Sequence, residues 1–413
     1  MQKKRQQSGT VKEREVALDN AILSSQQDFS FVLGGPLYQF FRRTGLVDDD
    51  LMLLSRRMII LSLFCWLPLL VLSMLDGQIW GGNVTVPFLG DVEVHTKFLL
   101  TLPLLIAAEL IVHQRMRHLV KQFLDRQLIP EHAFGQFETA IKSALRMRNS
   151  VFAEVLLIVF VYIVGILIVW QHYTSLAAAT WYATPSDRGL KLSLAGTWYG
   201  YVSLPIFQFL LLRWYYRLFI WARFLWQVSR IKLNLNPLHP DQLGGLGFVA
   251  GAAHAFALLA AAHGAMLMGF IANRIFYLGA SLPQFNAEFI LLIAFLAIIV
   301  FGPLLVFTLQ LADIKRKGKR EYDTLAQDYV REFEAKWLRG KAPEGETLLG
   351  SGDIQSLADL GNSLQVMRNM RIIPVTKESI MNLTIATFAP ITPLVLTMMP
   401  LEELLKKLFG ILF

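Results

Sequence analysis

NPLHPDQLGGLGFVAGAAHAFALLAAAHGAMLMG, residues 236–269, is the stretch on which the reading of this chain turns. Pro237 and Pro240 deny helical continuity to its first part, while Gly244, Gly245 and Gly247 permit unusual dihedrals and close approach. The second part is an apolar run of alanine, glycine and larger hydrophobic residues with two histidines, His254 and His263. Such a pattern reads as a span entered through a shaped turn at the membrane interface. Irregular backbone at that depth survives only where protein or water satisfies it. Gly247, Gly251 and Ala255 recur every four residues, the small-residue spacing that lets transmembrane helices touch backbone to backbone. This spacing predicts a central helix, not a lipid-facing one.

The rest of the chain agrees. Its 413 residues are 54% hydrophobic and only 17% charged, a distribution that excludes an ordinary soluble protein. A hydrocarbon core of about 30 Å needs about 20 apolar residues per helix. Seven runs qualify: 58–75, 98–112, 151–170, 196–212, 245–271, 289–309 and 381–399. The expected fold class is therefore all-α, a polytopic transmembrane helical bundle of about seven spans with a small cytosolic helical part. The last run holds Pro390 and Pro393, so six spans plus a re-entrant or interfacial C-terminal segment is the alternative. Along the chain this gives a basic N-terminal segment 1–57, a six-span core 58–309, a helical hairpin within 310–380, and a terminal span with an amphipathic helix, 381–413.

Orientation follows from the lysines and arginines between the runs. Segments 1–57, 113–150, 221–244 and 310–380 hold 31 of them; 76–97, 171–195 and 272–288 hold 4. The basic segments are expected in the cytosol, with the N-terminus, in a bacterial cytoplasmic membrane. The net charge of +8 then reads as orientation and attraction to anionic lipid, not as a nucleic-acid footprint. A single cysteine, Cys65, lies inside the first run, which leaves no intrachain disulfide or thiolate cluster.

Between the runs, GNVTVPFLGDVEVHT (82–96) is expected as a small hairpin and SLAAATWYATPSDRG (175–189) as a capped turn. REYDTLAQDYVREFEAKWLRG (320–340) sets Tyr322, Leu325, Tyr329, Phe333 and Trp337 on one helical face. APEGETLLGSG breaks that helix, and DIQSLADLGNSLQVMRNM (353–370) restarts it. A helical hairpin at the membrane face, or an oligomer contact, is implied. LEELLKKLFGILF (401–413) has the apolar and charged sides of an interfacial helix, or of a helix packed on another subunit.

An ionisable group at membrane depth asks for a partner, water or a function. Glu109, Glu154, Arg213, Arg217, His239 and Asp241 all fall near the same leaflet, with charges that nearly cancel. The ordinary reading of Arg213 and Arg217 is snorkelling beside an aromatic belt of Trp214, Tyr215, Tyr216, Trp221 and Trp226; the other is pairing with Glu109 or Glu154 at an inner vestibule. Glu109 has His113 one turn on as its ordinary partner. His254 falls near mid-membrane, where a hydrogen bond to a neighbouring helix competes with a proton-relay or pore-lining role.

Enzymatic chemistry has no support. His239-Pro240-Asp241 matches the tripeptide of J-domains without their soluble charged helices, and the glycines from Gly245 to Gly251 lack the preceding strand of a dinucleotide loop. No phosphate-binding loop, HExxH or serine elbow is present. No cofactor is called for.

NPLHPDQLGGLG before a small-residue span, then DIQSLADLGNS, and MRIIP before a proline-containing last span, together resemble a family of uncharacterised multi-pass inner-membrane proteins of proteobacteria. The resemblance covers roughly 230–413 and implies membrane location and organisation, with no activity. The leading expectation is a channel or passive transporter for an ion or small polar solute. Its path would involve Glu109, Glu154, Arg213, Arg217, His239, Asp241 and His254. The rival is a non-transporting scaffold or sensor acting through the 310–380 helices on a cytosolic protein partner. Either would sit in the bilayer as a homo-oligomer.

Overall fold

The chain is 78% helical with almost no strand, as an apolar chain must be when its backbone groups have only one another to bond. The structure, a computed structural model, describes residues 30, 34–43, 45, 54–81, 84–170, 179–186 and 189–397. Most of the basic segment 1–57, the end of the seventh run and the amphipathic stretch 401–413 lie outside these residues.

The main helices are α1 (Pro36–Arg43), α2 (Leu54–Leu75), α3 (Val92–Asp125), α4 (Phe134–Arg148), α5 (Val151–Phe160) and α6 (Leu204–Val228). They continue with α7 (Ala257–Leu278), α8 (Asn286–Phe301), α9 (Thr308–Phe333), α10 (Gly352–Asn369) and α11 (Lys377–Phe388). Local chemistry sets several starts. Asp91 accepts from the Val94 amide to begin α3, Ser150 from Ala153 to begin α5, and Thr376 from Ser379 to begin α11. Gly279, at φ +64°, ends α7 in the left-handed conformation.

Five helices are long and apolar enough to cross a membrane: Leu54–Leu75, Val92–Asp125, Ala257–Leu278, Leu282–Leu338 and Lys377–Thr397. A sixth is reached if Glu131–Arg148 and Val151–Gly165, which meet at 46°, form one broken span. The arrangement fits a multi-pass membrane protein. The run 196–212 falls short among the described residues. It leads into α6, whose Arg213, Arg217 and Arg223 stand among aromatic rings.

Two helices are internal. In α3 and α7, 56% of the apolar window is buried, against 22% in Leu54–Leu75, Leu282–Leu338 and Lys377–Thr397. The outer helices expose Ile59, Phe64 and Val71 on α2 and Ile290, Leu291 and Ile298 on α8, the kind of surface acyl chains cover. The stretch 82–96 is not a hairpin. Val92–His95 is the first turn of α3, because the Asp91 carboxylate takes a helical amide that a strand would leave outside its reach. The strand pair instead joins Ala183–Ser186 to Gly189–Leu192.

The fifth apolar run is also not one helix. Short turns Gly247–Ala250 and Ala252–Ala255 precede α7, with breaks at Gly251 and Phe256. Ala255 is fully buried, as expected. Gly251, however, faces the carbonyl of Phe248 in its own turn, not a neighbouring helix. The close helix approach lies further on, where a Cβ on Gly264 would overlap the Thr387 carbonyl of α11 and one on Gly269 would press on Glu93 of α3. Gly264→Ala is accordingly expected to lower the melting point of the purified protein by the equivalent of about 1–3 kcal/mol. Gly135→Ala, with open space around its Cβ, should leave it unchanged or raised; equal melting of the two variants would contradict the α7–α11 contact.

Candidate functional site: a buried ion cluster beside a closed turn

Four of the residues singled out by sequence converge. Glu109 on α3 takes Arg217 Nη2 at 2.7 Å and Arg213 Nη1 at 3.7 Å, both from α6. Arg213 Nε reaches Glu154 of α5 at 3.3 Å. A fifth member, Arg57 from the first turn of α2, donates to the other oxygen of Glu109. All five side chains are buried. Three guanidiniums therefore surround two carboxylates, and each carboxylate oxygen of Glu109 has an arginine.

The N-terminal side of the cluster is closed by α1. The Leu37 amide donates to Glu154 Oε2 at 2.8 Å, and Arg148 donates to the Ser30 carbonyl. His113 bonds the Ser30 hydroxyl at 2.8 Å and is not the partner of Glu109. The aromatic-belt reading of the α6 rings also changes. Trp214 and Trp221 are buried, and Trp214 donates to the Leu105 carbonyl while Arg217 stacks on its ring. Trp226 alone among the three tryptophans stays exposed. Helix α6 lies against α3 and α4, so Trp214 and Trp221 meet protein.

The 236–247 turn forms a separate unit. Asp241 sits at its centre: Oδ1 accepts from the amides of Leu243 (2.8 Å) and Gly245 (3.1 Å), and Oδ2 from Gly247 (2.8 Å). His239 Nδ1 lies 2.9 Å from Oδ1, and Arg126 stands at 4.0 Å. Gly244 and Gly245 adopt positive φ, and Gly247 leaves the room in which the carboxylate sits. Desolvation is the largest influence on the Asp241 carboxyl and pushes its pKa up, but the three amides and His239 outweigh it and hold it below the usual range. Leu243 and Leu246 are buried, and Arg371 donates its amide to the Gln242 carbonyl. Residues 243–246 are buried in protein, while Asn236 and Pro240 are exposed and His239 and Asp241 are partly so.

His254, in the short Ala252–Ala255 turn, faces α11: its Nε2 lies 2.6 Å from Asn382 Nδ2 and 4.0 Å from Glu378. Among the described residues, none of His239, Asp241 and His254 exchanges an ion pair or hydrogen bond with the Glu109 cluster. His263 is fully engaged, with Nδ1 on the Leu259 carbonyl and Nε2 on the Tyr215 hydroxyl.

A second buried polar group, at the opposite end of the bundle, escaped the sequence reading. Asp91 accepts from Trp181 Nε1 and Asn273 Nδ2, each at 2.8 Å, and Asn273 returns a bond from the Val92 amide. One turn on, Lys97 joins Glu93 (3.0 Å) to the Tyr199 hydroxyl (3.1 Å). Among the described residues no group of three His, Cys, Asp or Glu could hold a metal ion.

Breaking a buried pair from one side leaves uncompensated charge. Glu109→Gln is expected to cost about 3–5 kcal/mol of stability, and the double variant Glu109→Gln/Arg57→Gln to cost less than the sum of the two single changes; strict additivity in thermal melts would dissolve the pair. For Asp241, a folded pKa below the ordinary 3.8 means stability that is full above about pH 5 and lost as pH falls through the folded value. Wild type should therefore lose more melting temperature than Asp241→Asn on acidification from neutral pH to about pH 3.

Compared with family models, with curated proteins and with solved structures, the chain matches none.

Proposed function

We propose that the protein is a membrane-anchored scaffold or sensor that works through the helical hairpin formed by α9 and α10. The carrying observation is the helical run Leu282–Leu338, whose apolar part is long enough to cross a bilayer and whose polar part continues, past a 3-10 stretch at Gly302–Phe307, as α9. This run is keyed to the bundle where it emerges: Gly318 lies against Pro237, Gln310 donates to the Ser229 and Ile231 carbonyls, and Lys315 donates to the Met370 carbonyl. A shift within the bundle is thus transmitted to the hairpin as rigid-body motion.

The hairpin itself is locked around Asp353, which accepts from Lys336 Nζ and Trp337 Nε1 at 2.9 Å each while its carbonyl takes the Tyr329 hydroxyl. Those two donors hold the Asp353 carboxyl below its usual range. Leu325, Leu338 and Leu349 remain exposed, a surface that suits a cytosolic protein partner. In this reading the basic face is cytosolic, against the anionic headgroups of a bacterial inner membrane, and α6 is a further crossing enclosed by its neighbours. The protein assembles as a homo-oligomer, without enzymatic activity.

The Glu109 cluster favours a second reading, transport, in which α2, α3, α5 and α6 meet at a charged gate that ion pairs hold closed. The three turn amides taken by Asp241 and the bond of His254 to Asn382 weigh against an open path from His239 to His254. Two measurements separate the readings. A photo-crosslinking residue at Leu325 or Leu338 is expected to give a discrete protein adduct that Asp353→Ala diminishes, and liposomes carrying the protein should pass ions and small polar solutes no faster than empty ones. Solute flux above that background, lost in Glu109→Gln, together with adducts to lipid alone, would replace the scaffold with a transporter.

A further inference from the structure

An open groove of about 970 Å³ lies at the base of the hairpin, where α9 leaves the apolar bundle and the chain turns into α11. Its walls divide by chemistry. Lys315, Arg316 and Arg371 supply cationic groups, and Ile372, Ile373 and Ile380 supply apolar ones. The three isoleucines are 39%, 45% and 49% exposed, unusual for side chains of this size unless something apolar covers them. Arg316 is paired with Asp313 and Lys315 spends one N–H on the Met370 carbonyl. Arg371 is fixed by its backbone, through the 2.7 Å bond from its amide to Gln242.

Ile380 also lines a narrow crevice of about 30 Å³ between α8 and α11, with Ile293, Ala297 and Thr384. The basic groove therefore continues into an apolar seam between two helices of the membrane part. A free anion would satisfy the cations and leave the isoleucines bare. An apolar peptide would do the reverse. Only a molecule anionic at one end and apolar along its length fits both walls.

We propose that this groove binds one anionic phospholipid, with its phosphate at Lys315 and Arg371 and an acyl chain along Ile373 and Ile380 toward the α8–α11 seam. The inference rests on the basic face lying at the headgroups and not on what the hairpin recruits. A bound lipid would bridge α11 to α9 and the 370–375 segment, which pack against the turn at Pro237, Gln242 and Gly244.

The test uses the full-length protein purified in detergent and titrated with short-chain phosphatidylglycerol, phosphatidylcholine or inorganic phosphate, with native mass spectrometry reading bound lipid. Phosphatidylglycerol is expected to be retained over phosphatidylcholine, and inorganic phosphate not to compete. Each cation near a lipid phosphate contributes about fivefold in binding, so Arg371→Gln should weaken phosphatidylglycerol by about that factor and Lys315→Gln/Arg371→Gln by about 25-fold. Lys319→Gln/Arg320→Gln removes the same charge one turn further along α9, at residues outside the groove's lining, and should change little. Because Lys315 also anchors Met370, the single Arg371 variant decides the headgroup contact, and Ile373→Asp, expected to lower retention, decides the acyl wall. Equal retention of the two lipids, an equal loss in the Lys319/Arg320 variant, competition by inorganic phosphate, or unchanged retention in Ile373→Asp would each overturn the site.

Discussion

Glu109 is the group on which the basic half of the bundle depends. It sits on α3, one of the two internal helices, and draws Arg57 from α2 and Arg213 and Arg217 from α6 onto one carboxylate. Arg213 passes the connection to Glu154 on α5, and Glu154 passes it to the first turn of α1. Five helices are thus ordered by one chain of charges. In hydrocarbon, apolar helices gain little from choosing one neighbour over another, so a network of this kind supplies the register that greasy faces cannot. The same low dielectric that makes each pair directional makes a missing partner costly.

The middle of the molecule is held by shape. Helix α7 presents alanines and glycines to α3 and α11, and at Gly264 and Gly269 a side chain would collide with a facing backbone or with Glu93 and Thr96. At the far end, Asp91 and Asn273 join the first turn of α3 to the last turns of α7 through reciprocal bonds, with Trp181 closing over them. Charge at one end, small residues between, and the Asp91–Asn273 hydrogen bonds beside the Lys97–Glu93 pair at the other end keep the internal helices from sliding.

Much of this was legible in the residues. Charged groups inside apolar runs must find partners, which is why pairing of Arg213 and Arg217 with Glu109 or Glu154 stands beside snorkelling as a reading of the sequence, and proline with clustered glycine foretells the irregular turn. Arg57 was not legible because, next to Arg56 and just before the first run, it reads as one more flanking cation; only the burial of one of that pair separates them. The alternation around Val92 and Val94 reads as a strand until Asp91 is recognised as a cap. The four-residue spacing from Gly247 to Ala255 marks a small face but carries no information about what packs there, and the contact falls nine residues past Ala255, at Gly264. Trp214 and Trp221 reverse the belt reading for the same reason, since an aromatic residue that suits a headgroup also suits a protein interior with a carbonyl in reach.

The closed turn then bears on what the fold is for. A vestibule would leave the amides of 243, 245 and 247 to water or to a passing ion, whereas Asp241 takes all three and Gln242 is taken by Arg371. With Gly318 seated on Pro237 and Met370 against Gly244, the segments flanking the hairpin are part of the turn's own packing. Motion of α9 therefore cannot leave the turn unchanged, nor can rearrangement of the turn leave α9 in place. In the proposed scaffold reading, the broken backbone of 236–247 is the joint between the bundle and its hairpin, and the charged cluster belongs to the fixed side of that joint.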